Sequence, residues 1–160
     1  MDGYEDHYPH LCQRIYRRER LLTMSSVIRS WPLIAFVLLA SLLVVMSSLH
    51  SMNLFVPELK ALERAIGGDK NMHLVMSSLL AFLGCMSASR YVRSAYFSVV
   101  VVLPLLALAL AADEVLQRFS AVRSFDWQDL KAGLLGIIFG GASYLIVCII
   151  SRLLRSGRIA

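Results

Sequence analysis

Charged side chains are scarce in this sequence. Asp, Glu, Lys and Arg make up 17% of the 160 residues, whereas apolar residues make up 58%. A soluble domain with so little charge would leave too much apolar surface in contact with water. Together with a mean hydropathy of +0.65, this composition excludes an ordinary soluble domain and favours a chain whose outer surface is solvated by lipid.

The sequence also lacks the short motifs of common catalytic and metal sites. The three cysteines, Cys12, Cys85 and Cys148, have neither CxxC nor CxxH spacing, so a zinc site is not supported. No GxSxG, HExxH or P-loop pattern occurs. One histidine with several carboxylates could hold a divalent ion, but the spacing is not diagnostic. We therefore predict no metal and no cofactor.

Four stretches contain no Asp, Glu, Lys or Arg, and each is long enough to cross a bilayer. They run for about 19–20 residues, which is roughly 30 Å of helix and matches the hydrocarbon thickness of a membrane. The sequence therefore predicts an all-α fold, a four-helix transmembrane bundle. The uncharged stretches are residues 30–49, 71–89, 94–112 and 132–151. The predicted spans, the last two of which extend into flanking charged residues, are residues 31–49, 71–89, 94–116 and 130–154.

The remaining segments complete the predicted organisation. Residues 56–68 are too short and too charged to span, and Pro57 and the Gly67-Gly68 pair suit the ends of a short interfacial helix in the first outer loop. Residues 11–28 could form a second interfacial helix. We predict a basic N-terminal segment at 1–30, a membrane domain at 31–154 and a tail at 155–160.

Basic residues are unequally divided between the two predicted sides of the membrane. This asymmetry places both termini in the cytoplasm by the positive-inside bias, and anionic lipid headgroups explain the basic N-terminal segment without a nucleic-acid partner. The predicted side that carries both termini has more basic residues: Arg14, Arg17, Arg18, Arg20, Arg29, Arg90, Arg93, Arg152, Arg155 and Arg158. The opposite side has Lys60, Arg64, Lys70, Arg118, Arg123 and Lys131.

Three polar motifs fall at the predicted outer ends of the spans. The first, at the start of the second span, contains an Asp, a Lys and a His; the second, at the end of the third span, contains two acids and a Gln. The third lies in the loop before the fourth span. We expect them to meet at one membrane level, as a candidate site of Asp69, Lys70, His73, Asp113, Glu114, Gln117, Arg123 and Asp129.

These polar groups have both a structural and a functional interpretation. Adjacent carboxylates at the end of an apolar helix are costly unless they face water or pair with Lys70, Arg123 or His73. Such a set could bind a phosphate, a sugar or a peptide carboxylate, or it could only lock the bundle. Asp126 and Asp129 could equally cap the fourth helix at its electropositive N-terminus.

In order and spacing, the three motifs resemble those of the VanZ-like family of small membrane proteins. The resembling positions run from Asp69-Lys70-x-x-His73 through Asp113-Glu114-x-x-Gln117 and Arg123 to Asp129, and continue into Gly136 and Gly140. The two glycines also form a GxxxG pattern that permits close helix packing in lipid. The chain departs from the family at Gly133, where members often carry an asparagine.

The resemblance implies a multi-pass protein of the bacterial inner membrane and cell envelope. The family's namesake is linked to low-level resistance to the glycopeptide teicoplanin, by a mechanism that is not established. On this basis the expected function is binding or modifying an envelope precursor or glycopeptide-type ligand at an outer-face polar pocket.

Two other functions remain open. The chain could be a non-catalytic accessory subunit of a larger membrane complex, with residues 11–29 as its docking element. It could also be a membrane hydrolase or transferase that uses Glu114 or Asp113 as a base and His73 as an acid. The sequence identifies neither a nucleophile nor a substrate, so catalysis is left undecided.

Overall fold

The structure, a computed structural model, describes residues 9–92, 94–119 and 125–156, and the side chains from residue 30 onward. Within these ranges the chain forms five α-helices. They are α1 (Pro9–Ser51), α2 (Val56–Ile66), α3 (Asp69–Ala88), α4 (Ala95–Gln117) and α5 (Trp127–Ser156). Contacts divide the chain into Met1–Trp31 and Pro32–Ala160, and the second unit contains the candidate site.

Four of the described helical segments are long and apolar enough to cross a bilayer: Ser30–Ser51, Asp69–Ala88, Ala95–Gln117 and Trp127–Ser156. The predicted all-α, four-helix transmembrane bundle is therefore confirmed. The short helix predicted between the first two spans is α2. The helix predicted at 11–28 lies within α1, and its location at the membrane interface stays a prediction, as do the domain boundaries.

The distribution of polar and apolar side chains is inverted relative to a water-soluble domain. Leu38, Leu108 and Leu153 have exposed fractions of 65%, 68% and 66%, whereas Glu114 and Asp129 are only 1% and 8% exposed. Water would penalise this arrangement, but a bilayer solvates the exposed leucines. The chain is a multi-pass membrane protein.

Helices α3 and α5 are held together at what we call the glycine seam, formed by Gly136 and Gly140 against Leu74 and Ser78. A Cβ atom added to Gly136 would lie 2.3 Å from the backbone oxygen of Leu74, and one added to Gly140 would lie 2.1 Å from that of Ser78. Only glycine permits so close a helix approach. Because the contacts advance in the same direction along both helices, α3 and α5 run parallel.

The turn between α2 and α3 fixes where α3 begins. Gly67 and Gly68 have φ values of 96° and 106°, a left-handed conformation that favours glycine. Their backbone N–H groups donate to the carbonyl oxygens of Arg64 and Glu63, at 3.2 and 2.7 Å. The turn ends α2 and allows Asp69 to start α3 directly.

Helices α1 and α4 run opposite to α3 and α5, so their C-terminal ends lie beside the N-terminal ends of the other pair. Two contacts establish this arrangement. Ser47 Oγ in the last turns of α1 donates to Asp113 Oδ1 near the end of α4, at 2.9 Å, and the backbone N–H of Asp126 just before α5 donates to Glu114 Oε1 at 2.7 Å. We call this end of the bundle the polar end.

Candidate functional site

Three of the predicted site residues form a cluster at the start of α3 and α5. Asp69 and His73 lie one turn apart on α3, and His73 Nε2 is 3.5 Å from Asp69 Oδ1. Asp129, in the first turn of α5, completes the group: a carboxylate oxygen from each acid and a ring nitrogen of His73 all lie within 4.8 Å of one another. We call Asp69, His73 and Asp129 the α3–α5 cluster.

Asp113 and Gln117 form a second group with a residue that sequence reasoning missed. Gln117 Nε2 donates to Asp113 Oδ2 at 2.9 Å, and Ser47 Oγ donates to Asp113 Oδ1 at 2.9 Å. Both carboxylate oxygens of Asp113 are therefore hydrogen-bonded inside the protein. This network connects α1 to α4, so Asp113 has a structural role at the polar end.

Glu114 is the most deeply buried of the predicted site residues, with 1% exposure. Its Oε1 accepts the backbone N–H of Asp126 at 2.7 Å, while Oε2 has no hydrogen-bond partner among the described residues. The side chain of Asp126 in turn accepts the backbone N–H of Gln128 at 2.7 Å, at the beginning of α5. Glu114 thus anchors the start of α5 to the end of α4.

Lys70 was one of three groups that could offset the carboxylates of α4 by pairing with them, and the structure gives it a different partner. Lys70 Nζ donates instead to Gln128 Oε1. Both residues sit in the first turns of their helices, at the more exposed edge of the polar end, where the ammonium remains hydrated. The other cation expected there, Arg123, lies outside the described residues.

The glycines of α5 occupy places where a larger residue would not fit. Gly136 and Gly140 form the glycine seam described above. Gly133, the position where VanZ-like proteins often carry an asparagine, faces α4: a Cβ atom there would lie 2.5 Å from Leu110 Cδ2. An asparagine at 133 would require Leu110 to move, so this chain packs a leucine against α5 at that level.

A cavity of about 390 Å³ lies between α1 and the other helices of the membrane domain. Its walls are mainly apolar and include Phe36 and Ala40 of α1, Leu80 of α3 and Leu106 of α4. The volume is in the range of pockets that bind small molecules. The helices therefore border a partly open, mainly hydrophobic space beside α1.

One end of this cavity is polar. His50, Glu63, His73 and Asp113 all contribute to its lining, and His50 Nδ1 lies 4.0 Å from Glu63 Oε1. Phe36 lies fourteen residues before His50 in the same helix, which corresponds to about 21 Å along the axis. The cavity is thus amphipathic, with hydrogen-bonding groups at the polar end and an apolar interior.

Three residues of this site were not identified from the sequence. Ser47 and His50 lie at the end of the first span, and Glu63 lies on α2, which was predicted only as an interfacial helix. His50 follows directly on the uncharged run that ends at Leu49. His50 lies at the same predicted membrane level as His73. That shared level could have identified His50 as a candidate site residue from the sequence.

Comparison with known proteins adds no family to this description. The sequence matches no protein-family model, and no curated protein or solved structure is significantly similar to it. The chemistry of the site is therefore argued from its own residues. These can donate and accept hydrogen bonds, hold a proton on an imidazole, and provide carboxylate and imidazole ligands to a cation.

Proposed function

We propose that this chain is a VanZ-like protein of the bacterial inner membrane, with both termini in the cytoplasm, that binds an amphipathic envelope precursor at its outer face. The observation that carries the binding proposal is the cavity of about 390 Å³ with apolar walls and a polar end. A ligand with an apolar chain and a hydrogen-bonding head group matches this division.

The shape of the cavity favours a chain over a bulky ring system. The cavity contacts both Phe36 and His50, about 21 Å apart along α1, so its modest volume is spread over a considerable length. An extended hydrocarbon chain fits such a space. A glycopeptide-type ligand would fit only by inserting an apolar substituent, because pockets of this size bury no more than a drug-sized molecule.

The polar end favours a head group rich in hydroxyl or amide groups. Glu63 and Asp113 contribute carboxylates there, and His50 and His73 contribute imidazoles. Carboxylates accept hydrogen bonds from hydroxyl and amide donors but repel a bare phosphate. A glycan carried on a polyprenyl chain has the required donors close to the membrane surface.

The test is binding of a fluorescent polyprenyl-linked disaccharide to the purified protein in nanodiscs. Ala40 lines the cavity, and Ala112 of α4 is exposed outside it. We expect Ala40→Phe to weaken binding at least about tenfold by occupying the space of the chain, with Ala112→Phe as the matched control. Glu63→Gln should weaken binding of the disaccharide conjugate but not of the free polyprenol.

The same experiment can contradict the proposal. If Ala40→Phe bound the conjugate as tightly as the native protein, the cavity would not be the binding site. Ala109→Phe on the α4 wall provides a second cavity variant in case the α1 variant folds poorly. A binding signal that is identical in all variants would show partitioning into the lipid instead of binding to the protein.

A second function, accessory subunit of a larger membrane complex, is favoured by the satisfied state of Asp113. Both of its oxygens are bonded within the bundle, as expected if the polar residues mainly lock the helices. Deleting residues 11–29, the predicted docking element, should then abolish co-purification with partner proteins. A full-length chain that always purifies alone would argue against this function.

A further inference from the structure

We propose that the α3–α5 cluster binds one divalent transition-metal ion, such as Mn²⁺ or Zn²⁺, through Asp69, His73 and Asp129. The inference does not rest on the proposed ligand of the cavity. Its starting observation is that two carboxylates and an imidazole from two different helices bring one ligand atom each within 4.8 Å of the others.

The distance between His73 Nε2 and Asp69 Oδ1 suits coordination better than a hydrogen bond. At 3.5 Å it exceeds the usual N–H···O distance of about 2.9 Å. Two ligand atoms that each lie about 2.1 Å from a tetrahedral ion are about 3.4 Å apart. An ion between the two side chains would therefore need little adjustment of either.

The imidazole nitrogen facing the cluster needs a partner. His73 Nε2 is buried and has no hydrogen-bond partner among the described residues. A buried polar atom without a partner costs about 1–3 kcal/mol, and a neutral imidazole nitrogen is a common metal ligand. A metal ion would satisfy this nitrogen and the two facing carboxylates together.

The electrostatics of two adjacent acids also favour a cation. Asp129 is only 8% exposed, and Asp69 lies beside it at the start of a neighbouring helix. The positive N-terminal ends of α3 and α5 stabilise each carboxylate separately, but they do not remove the repulsion between the two. A shared proton, a protonated His73 facing Asp69 at 3.5 Å, or a bound cation has to compensate it.

The ligand set indicates the class of ion. One imidazole with two carboxylates is a mixed nitrogen and oxygen set, which suits Mn²⁺, Fe²⁺ or Zn²⁺ better than Mg²⁺, whose preference is for oxygen ligands and water. Three protein ligands also leave at least one coordination position open. His73 contributes to the lining of the cavity, so the open position could be reached by a molecule bound there.

The backbone holds the ligands in place. Gly136 contacts the backbone of Leu74, the residue after His73, and Asp129 lies two helical turns before Gly136 on the same face of α5. The close helix approach at the glycine seam thus sets the separation between the α3 ligands and the α5 ligand. A preformed ligand geometry reduces the free-energy cost of ordering the site on metal binding.

The experiment is titration of the EDTA-treated full-length protein in detergent with Mn²⁺, with free Mn²⁺ followed by electron paramagnetic resonance. We expect one ion per chain. Asp129→Asn and His73→Gln should each weaken binding at least about tenfold. The matched control is Asp126→Asn, three residues away, whose side-chain oxygen can still cap α5; it should bind Mn²⁺ within about twofold of the native protein.

Each outcome decides the proposal. Loss of binding in Asp129→Asn and His73→Gln, with Asp126→Asn unchanged and all variants helical by circular dichroism, supports the site. Absence of stoichiometric Mn²⁺ binding to the native chain overturns it and favours a proton in the cluster instead. The proposal is also overturned if Mg²⁺ displaces the bound Mn²⁺ equally well and His73→Gln does not change Mn²⁺ binding. The imidazole would then not be a ligand.

Discussion

The two sides of α3 differ in how closely they are packed. Toward α5, the glycine seam brings backbone against backbone, so that even a single Cβ atom would come within 2.1–2.3 Å of a carbonyl oxygen. Toward α1, α3 faces the cavity of about 390 Å³. One helix thus has a close-packed side and a hollow side within the same membrane domain.

This difference separates two tasks that a binding protein has to combine. The close-packed side holds Asp69, His73 and Asp129 in fixed relative positions, since a shift of α5 would require the backbones to separate. The hollow side provides volume, and α1 is connected across it by contacts at the polar end such as the Ser47–Asp113 hydrogen bond. Substitutions in the close-packed side and substitutions in the hollow side should therefore change the stability of the protein by different amounts.

The largest effect is expected from a side chain placed in the glycine seam. Gly140→Leu would drive a side chain into the backbone of Ser78 and the Cβ atom of Ala81, forcing α3 and α5 apart. We expect a loss of about 3 kcal/mol or more in the free energy of unfolding, measured by SDS titration in mixed micelles. The matched control is Ala142→Leu, an exposed position on the same helix.

A smaller effect is expected where the end of α4 is anchored to the start of α5. Glu114→Ala removes the acceptor for the Asp126 N–H and should cost about 1–3 kcal/mol. Glu114→Gln keeps an oxygen at that position and should stay closer to the native stability. Glu58→Ala, an exposed acid on α2, controls for charge removal; equal stability of all three variants would contradict this role of Glu114.

The smallest effect is expected on the hollow side. Ser47→Ala removes the hydrogen bond from α1 to Asp113 and should cost about 0.5–1 kcal/mol, as single hydrogen bonds between membrane helices do. Ser48→Ala is the neighbouring control, because Ser48 Oγ donates to Val44 O of its own helix. If Ser48→Ala lowered the free energy of unfolding as much as Ser47→Ala, the Ser47–Asp113 hydrogen bond across the cavity would contribute nothing to stability.

The fold was predictable because hydrocarbon imposes a simple rule on sequence. An uncharged run of the right length has to form a helix, since its backbone groups find no other partner in lipid, and all four spans follow from this rule. The boundaries were less predictable. Helix α5 begins at Trp127, three residues before the predicted start, because Asp126 accepts the N–H of Gln128 and supports an earlier first turn.

The candidate site was predictable in part. Placing Asp69 and His73 on one helix face needs only the helical period, and alternating helix directions place the three motifs at one end. The partners across helices were not predictable. Lys70 was one of three possible partners for the α4 carboxylates but bonds to Gln128, because side-chain pairing at a helix end depends on helix rotation, which hydropathy does not report.

The amino-acid sequence alone determined the helices, their number in the membrane and the level of the polar groups, because each follows from the free energy of placing a residue in lipid or in water. Tertiary structure decided that Gly136 and Gly140 pack against α3, that Asp129 joins Asp69 and His73, and that α1 leaves a cavity beside them. Those outcomes depend on how the shapes of different helices fit together, a property that no single helix contains.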